Sequence, residues 1–285
     1  MNIHTAMLEA RILLDVGGTF LKSSLGIRGA GPVEGTFASV PMPSDGSAAD
    51  IIGAIKETMR IQLGNASERG MHVADLAADV PGPFDYSSGR FLMKHKFAAV
   101  YGMSFSDILG NDIPMTFMHD VNCALLGHIV SDPALREGNV GLVTLGTGLG
   151  FSYASGGKIS KDQAGEPTES LWDMPYRGGI LEDFVSRRGI IAAYGSDEEI
   201  DVKDIAERAR EGDQAALAAF EAAGRCFAEG AAPLLRRLSI GHLVFAGQIS
   251  RSFDLIRPGI GDSLQCAMEV SPDLQGTVFK GLAFI

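Results

Sequence analysis

The sequence predicts an α/β protein of duplicated architecture, and three observations carry that reading. The first is the stretch Ile12 to Val16, an apolar run containing Asp15 that meets Gly17-Gly18-Thr19 and returns as an alternating run, Leu21 to Ile27. This is the pattern of a strand, a tight glycine turn and a returning strand. The second is a repeat of that pattern: Val140 to Leu145 runs into Gly146-Thr147-Gly148, and G-T-x-L-x-x-S occurs both at Gly18 to Ser24 and at Gly146 to Ser152. The third is composition, with 46% hydrophobic residues, 36 glycines and only 7% aromatics, which suits a packed α/β chain and excludes a disordered or fibrous one.

The two turns carry the first chemical reading. With little side-chain bulk, their backbone N–H groups can approach an anion closely. Asp15 sits at the mouth of the first turn, where a carboxylate could hold a hydrated Mg²⁺. Lys22 could add a positive point charge. Any hairpin can carry two glycines after an acid. A copy in each half favours two turns facing one ligand, and so phosphate binding over plain punctuation.

Bulk properties narrow the function. At 285 residues the chain suits one large domain or two ordinary ones. A net charge of −11 argues against a nucleic-acid groove, so an anionic ligand must be held by local dipoles and metal. Cys123, Cys226 and Cys266 are scattered and read as thiols of a cytoplasmic protein. Met1 to Ala10 lacks the apolar core of a signal peptide, and no window approaches the roughly 20 apolar residues of a membrane span.

Between the turns the elements follow in order. Val33 to Val40 reads as a third strand, ended by Pro41-Met42-Pro43. Ser47-x-x-Asp50 resembles a capping box, and Ile51, Ile52, Ile55, Met59 and Leu63 then form a helical stripe. Val73 to Val80 is a strand that runs into Pro81-Gly82-Pro83, a rigid turn at a carboxyl end. Phe84 to Phe105 is irregular and holds Lys94, His95 and Lys96. Ile113 to Met118 is strand-like and meets His119-Asp120-Val121-Asn122, followed by a helix from Cys123 to Val130. Asp120 at that junction is either a general base or a simple N-cap.

Beyond the second turn, Gly156-Gly157-Lys158 closes the return strand, and Ser160 to Gly179 is a polar connection with Glu166 and Glu169. Ile180 to Tyr194 reads as a helix, and Asp201 to Ser239 as helices broken near Gly212 and again near Gly230 and Pro233. Ile205, Ala209, Leu217, Phe220, Ala223 and Phe227 are core positions. His242 to Ala246 is a buried-type strand ending at Gly247, and short helices with a strand follow.

Taken together, Asp15-x-Gly17-Gly18-Thr19-x-x-Lys22, Pro81-Gly82-Pro83, Asp120-x-Asn122, Leu145 to Gly150 and Gly247-x-Ile249-Ser250 resemble the ROK sugar kinases in order and spacing. The resemblance covers nearly the whole chain and includes Ala206 to Asp213. It implies two duplicated actin/hexokinase-type (ribonuclease H-like) domains around a central cleft. Their expected bounds are 1–118, with the first phosphate hairpin, and 119–285, with the second hairpin and the adenosine site. It further implies a cytoplasmic, ATP- and Mg²⁺-dependent kinase of a hexose or amino sugar, with a homodimer by family habit and no nucleic-acid or membrane partner.

Residue by residue, the resemblance puts ATP phosphates at Asp15, Gly17, Gly18, Thr19 and Lys22 and at Gly146, Thr147 and Gly148. Asp15 would face Mg²⁺ and Gly247 the adenosine, while Asp120 would be the base that accepts the proton of a sugar hydroxyl. Pro81, Gly82, His119 and Asp120, with Glu166 or Glu169, would hold the sugar.

Two departures qualify the sugar side. His119 stands where the family has Asn, and Trp172 to Glu182 lacks the cysteines of the family's zinc loop, which implies no structural zinc. The alternatives are a catalytically weak sugar- or nucleotide-binding protein, and a sugar-sensing repressor. The repressor would need a DNA-binding segment before the first hairpin, where ten residues precede Arg11.

Overall fold

The computed structural model describes residues 8–195 and 199–285, so most of the N-terminal stretch read for a targeting signal lies outside the described residues. The described chain forms two compact units.

The first unit comprises the described residues of Met1–Asp132 together with Lys161–Glu166 and Gln275–Ile285. The expected boundary after residue 118 falls instead after Asp132. Its sheet contains β1 (Leu8–Val16), β2 (Phe20–Ile27), β3 (Gly31–Pro32), β4 (Ala38–Pro41), β5 (Met71–Val80) and, after the small hairpin β6 (Phe84–Asp85) and β7 (Arg90–Phe91), β8 (Met115–His119). The order is β3-β2-β1-β5-β8, with β1 antiparallel to β2 and parallel to β5. A central strand is covered on both faces, which is why Ile12, Leu13 and Leu14 are consecutive and all buried.

Helix α1 (Ala48–Glu68) starts at the expected capping box, where Ser47 and Asp50 each accept the other's backbone N–H. Ile51, Ile55 and Met59 are buried, but Leu63 is exposed and drops out of the stripe. Of the single strand expected over Val33 to Val40, only Ala38 onward is strand, in β4, and β3 ends just before Val33. Between them the Thr36 hydroxyl donates to the Val33 carbonyl and accepts the Leu25 amide, which satisfies local backbone groups without a ladder. The segment after β5 is irregular, as expected, apart from the small β6–β7 hairpin and one short helical turn at Ala98–Val100, and it is well packed. Phe84, Phe91, Phe97 and Phe105 are buried in one aromatic cluster, with α2 (Phe105–Leu109) at its end. Helix α3 (Asp120–Ser131) follows β8 directly.

The second unit comprises Pro133–Ser160 and Pro167–Leu274. Its sheet repeats the first: β9 (Asn139–Leu145), β10 (Leu149–Ser155) and β11 (Lys158–Ile159) are antiparallel neighbours. A short hairpin follows, β12 (Pro175–Tyr176) with β13 (Gly179–Ile180), and then β14 (His242–Ala246) and β15 (Ala267–Val270) extend the sheet in parallel from β9. The order β11-β10-β9-β14-β15 matches that of the first unit, so the duplication read from the glycine turns extends to whole sheets.

Where one helix was expected over Ile180 to Tyr194 there are two, α4 (Glu182–Val185) and α5 (Arg187–Tyr194), interrupted at Ser186 in extended conformation. Helix α6 (Val202–Arg210) precedes α7 (Gln214–Arg237), and the break between them lies at Gly212 as expected. Contrary to expectation, α7 continues through Gly230 and Pro233. Leu181 lies where a Cβ on Gly230 would be, 2.5 Å from its Cδ1, so tertiary packing overrides the local breaking tendency. Helix α8 (Phe253–Ile260) belongs to this unit. The last helix, α9 (Leu274–Leu282), returns to the first unit and crosses α3 at two glycines. A Cβ on Gly127 would lie 1.9 Å from the Thr277 carbonyl, and one on Gly281 2.2 Å from that of Cys123.

Candidate functional site

Strand register assembles the site of the first unit. Asp15 pairs with Asp79 in the parallel ladder of β1 and β5, and Val80 with His119 in that of β5 and β8. Three carboxyl ends therefore share one sheet edge, the edge where open α/β sheets bind ligands.

The turn between β1 and β2 is closed by the Gly17 amide, which donates to the Phe20 carbonyl at 3.1 Å. The Gly18 and Thr19 amides have no hydrogen-bond partner among the described residues. Lys22 Nζ donates to Asp15 Oδ2 at 3.0 Å, so its charge is committed to that carboxylate. Burial, opposed by Lys22 and reinforced by Asp120, lifts the Asp15 carboxyl above its ordinary value.

Asp79 is 1% exposed and its Oδ2 has no partner among the described residues. Burial, then the negative charges of Asp15 and Asp120, push its carboxyl well above the ordinary range. Sequence reading passed over Asp79, although an acid inside the apolar run Leu76 to Val80 was a visible signal. It also passed over the placement of Lys96. A Cβ on Gly18 would lie 3.4 Å from Lys96 Nζ and 3.3 Å from Ser44 Oγ.

Asp120 is the first residue of α3, and His119 takes the cap position, which settles the N-cap alternative. The Val121 amide donates to Asp120 Oδ1 at 2.7 Å. His119 Nδ1 lies 2.8 Å from that same oxygen, and its Nε2 lies 3.3 Å from Glu166 Oε2. Burial works against charge on the imidazole, but Asp120 and Glu166 outweigh it and raise His119 above its ordinary 6.5. Burial would lift Asp120, yet His119, the Val121 amide and Lys96 hold its carboxyl below the usual range.

The Pro81-Gly82-Pro83 turn makes room for Glu166. A Cβ on Gly82 would lie 2.7 Å from both Glu166 carboxylate oxygens, so no larger residue fits with Glu166 in place. Glu169 lies in the second unit, held by Arg237 in a two-pronged pair at 2.9 and 2.6 Å. Of the two glutamates weighed from the sequence, only Glu166 is beside His119.

The second unit builds its turn in the same way. The Gly146 amide donates to the Gly148 carbonyl at 3.0 Å, and the Thr147 and Gly148 amides have no partner among the described residues. Glu182, unassigned by sequence reading, accepts the Leu149 amide at 2.8 Å and packs under Gly148. A cavity of about 560 Å³ opens beside this turn, lined among others by Thr147, Val202, Ala206, Gln248 and Ile249. Gly247 precedes the last two with φ +93°, and a Cβ there would lie 2.3 Å from the Leu145 carbonyl. Its lack of a side chain lets the end of β14 lie against β9.

A family model described as ROK family matches residues 39–271, most of the chain. The chain belongs to the ROK family. A glucokinase of this family from Streptomyces griseus, solved with glucose and AMPPNP, superposes with a TM-score of 0.74 at 20% identity, over 96% of this chain and 98% of that one. A ROK protein from Streptococcus pneumoniae, in complex with sucrose, gives 0.77 at 18% identity over 97% of each chain. A ROK transcriptional regulator, a homologue of the E. coli MLC protein, gives 0.79 at 17% identity over 96% of this chain and 77% of that one. A search of curated proteins finds no match. The two-sheet α/β architecture is that of the ROK kinases and so of the actin–hexokinase type expected from the resemblance. Among the described residues no helix is long and apolar enough to cross a membrane, and no group of three or more His, Cys, Asp or Glu residues could hold a metal ion.

Proposed function

We propose that this ROK family protein is an ATP-dependent kinase that phosphorylates a hydroxyl of a hexose or amino sugar. The observation that carries the reading is Asp120: an anionic carboxylate at the sheet edge that also holds a glycine turn with two unpartnered amides. An anion-binding turn and a base that share an edge are what phosphoryl transfer to an alcohol requires.

In the proposed reaction the sugar hydroxyl gives its proton to Asp120 as its oxygen bonds to the γ-phosphorus. The bond from that phosphorus to the bridging oxygen breaks, and its electron pair stays on ADP. The Gly18 and Thr19 amides bind the transferring group, with Gly17 allowing the turn. Thr147 and Gly148, beside Gly146, bind nucleotide phosphate, and the cavity next to Gly247 takes the nucleoside. His119 and Glu166, seated by Pro81 and Gly82, face the sugar. Mg²⁺ binds through one or two carboxylates plus phosphates and water. Asp15, and the unpartnered oxygen of Asp79, fit that demand. When bound, the ion would neutralise phosphate charge.

The family also contains regulators, so turnover is the deciding property. The test is ADP release from MgATP across hexoses, N-acetylated amino sugars and no sugar, with Asp120→Asn as the control. One sugar class should support turnover, and the variant should lose it by about 10²- to 10⁴-fold while still binding nucleotide. Full turnover by the variant would remove Asp120 from the role. Binding without turnover in the wild type would favour the sugar- or nucleotide-binding protein.

A further inference from the structure

We propose that Lys96 is a catalytic residue whose ammonium contacts the phosphoryl group during its transfer. The inference rests on the kinase reading above and assigns to the first turn a second cation besides the motif's Lys22.

The geometry begins with the turn. Its two unpartnered amides, on Gly18 and Thr19, mark where phosphate oxygens would sit. Lys22 is ion-paired to Asp15 at 3.0 Å, so its charge is already shared. Lys96 makes no ion pair or hydrogen bond among the described residues, and its Nζ lies 3.4 Å from the position of a Cβ on Gly18. The same ammonium acts electrostatically on Asp120. A charge near both the phosphate turn and the base lies where the transferring group must pass.

The backbone holds Lys96 there. The next residue, Phe97, is fully buried and left-handed at φ 54°, a conformation a bulky side chain rarely adopts. Its amide donates to the Ser44 carbonyl at 2.8 Å, and the Ser44 hydroxyl also borders Gly18. The aromatic cluster thus anchors the loop, and the anchored loop presents the exposed lysine to the turn. Phosphoryl transfer spreads charge over the equatorial oxygens of the moving group, and a fixed cation aimed at them lowers the barrier. Lys96 takes no part in the proton transfer, since the hydroxyl proton goes to Asp120 and the breaking bond leaves its electrons on ADP.

The test compares wild type with Lys96→Met and Lys96→Arg. Lys96 is exposed, so the variants should fold, and melting curves check this. With a neutral sugar, Lys96→Met should lower kcat by about 10²-fold, the scale of removing one oriented donor. KM for the sugar and Kd for MgADP should stay within about threefold, and Lys96→Arg should recover part of kcat. A second readout needs no turnover: calorimetry with MgADP plus aluminium fluoride, a mimic of the moving group. Lys96→Met should weaken binding of the mimic at least tenfold more than binding of MgADP. An unchanged kcat, an equal loss for MgADP and the mimic, or a loss confined to acceptors that carry a carboxylate or phosphate would each overturn the proposal. If the wild type phosphorylates no sugar, the kinase reading fails by that result. The difference between mimic and MgADP then decides the Lys96 contact alone, and a wild type that does not bind the mimic overturns it.

Discussion

His119 Nδ1 lies 2.8 Å from Asp120 Oδ1, so the residue before the proposed base is also its ion-pair partner. The far nitrogen of the ring meets Glu166 at 3.3 Å, which makes a carboxylate–imidazole–carboxylate chain. A protonated ring is the ion-pair partner of both carboxylates and keeps Asp120 anionic but weakly basic.

The first expected outcome concerns pH. His119 is raised above 6.5, so its charge persists toward neutrality and is lost as pH rises through the raised value. Loss of the charge makes Asp120 the stronger base. Wild-type kcat/KM for the sugar should therefore climb through a bend above pH 6.5. In His119→Asn the bend should fall to the carboxylate range, below about pH 5. A bend at the same pH in the variant would assign it to another group.

The second concerns the two glutamates. Glu166 touches His119 and the amide end of the Pro-Gly-Pro turn, while Glu169 is occupied by Arg237. Glu166→Gln should raise KM for the sugar by roughly tenfold, since leaving a part-buried charged partner unpaired costs on the order of 1–3 kcal/mol. Glu169→Gln should leave KM within about twofold and lower stability by at most about 1 kcal/mol, as for partly exposed ion pairs. The reverse pattern in steady-state kinetics would move the sugar contact to Glu169.

Asp79 yields the third. A carboxyl whose folded pKa is raised binds a proton more tightly in the native state. Its contribution to stability is whole below the unfolded value, near about 3.9, and is lost as pH rises toward the folded one. Within that window each pH unit costs the wild type up to about 1.4 kcal/mol. Asp79→Asn has no such slope, so in urea melts at rising pH its stability relative to wild type should increase steadily. A constant difference would show that Asp79 ionises normally in the fold.

Both glycine turns, the capping box at Ser47 and the strand-to-helix junction at Asp120 were legible because each depends on a few adjacent residues. What escaped was set at long range. Nothing local shows that Leu181 would seat on Gly230 and carry α7 through it. Lys94, His95 and Lys96 look alike along the chain. Lys96 is singled out only by the aromatic cluster and the Phe97–Ser44 bond, which reach across about fifty residues of sequence. Glu166 and Glu169 are three positions apart yet belong to different units.

Helix α9 has a consequence for synthesis on the ribosome. The first unit includes Gln275–Ile285, and the buried Arg11 guanidinium donates to the carbonyls of Leu282 and Ile285 at 3.0 and 2.6 Å. The second unit ends at Leu274. Translation therefore delivers every residue of the second unit before the first has its closing helix, although the first begins earlier. Domains fold as units while the chain emerges. The nascent unit that carries Asp120 must wait, with the surface of α3 around Gly127 uncovered, until α9 leaves the exit tunnel.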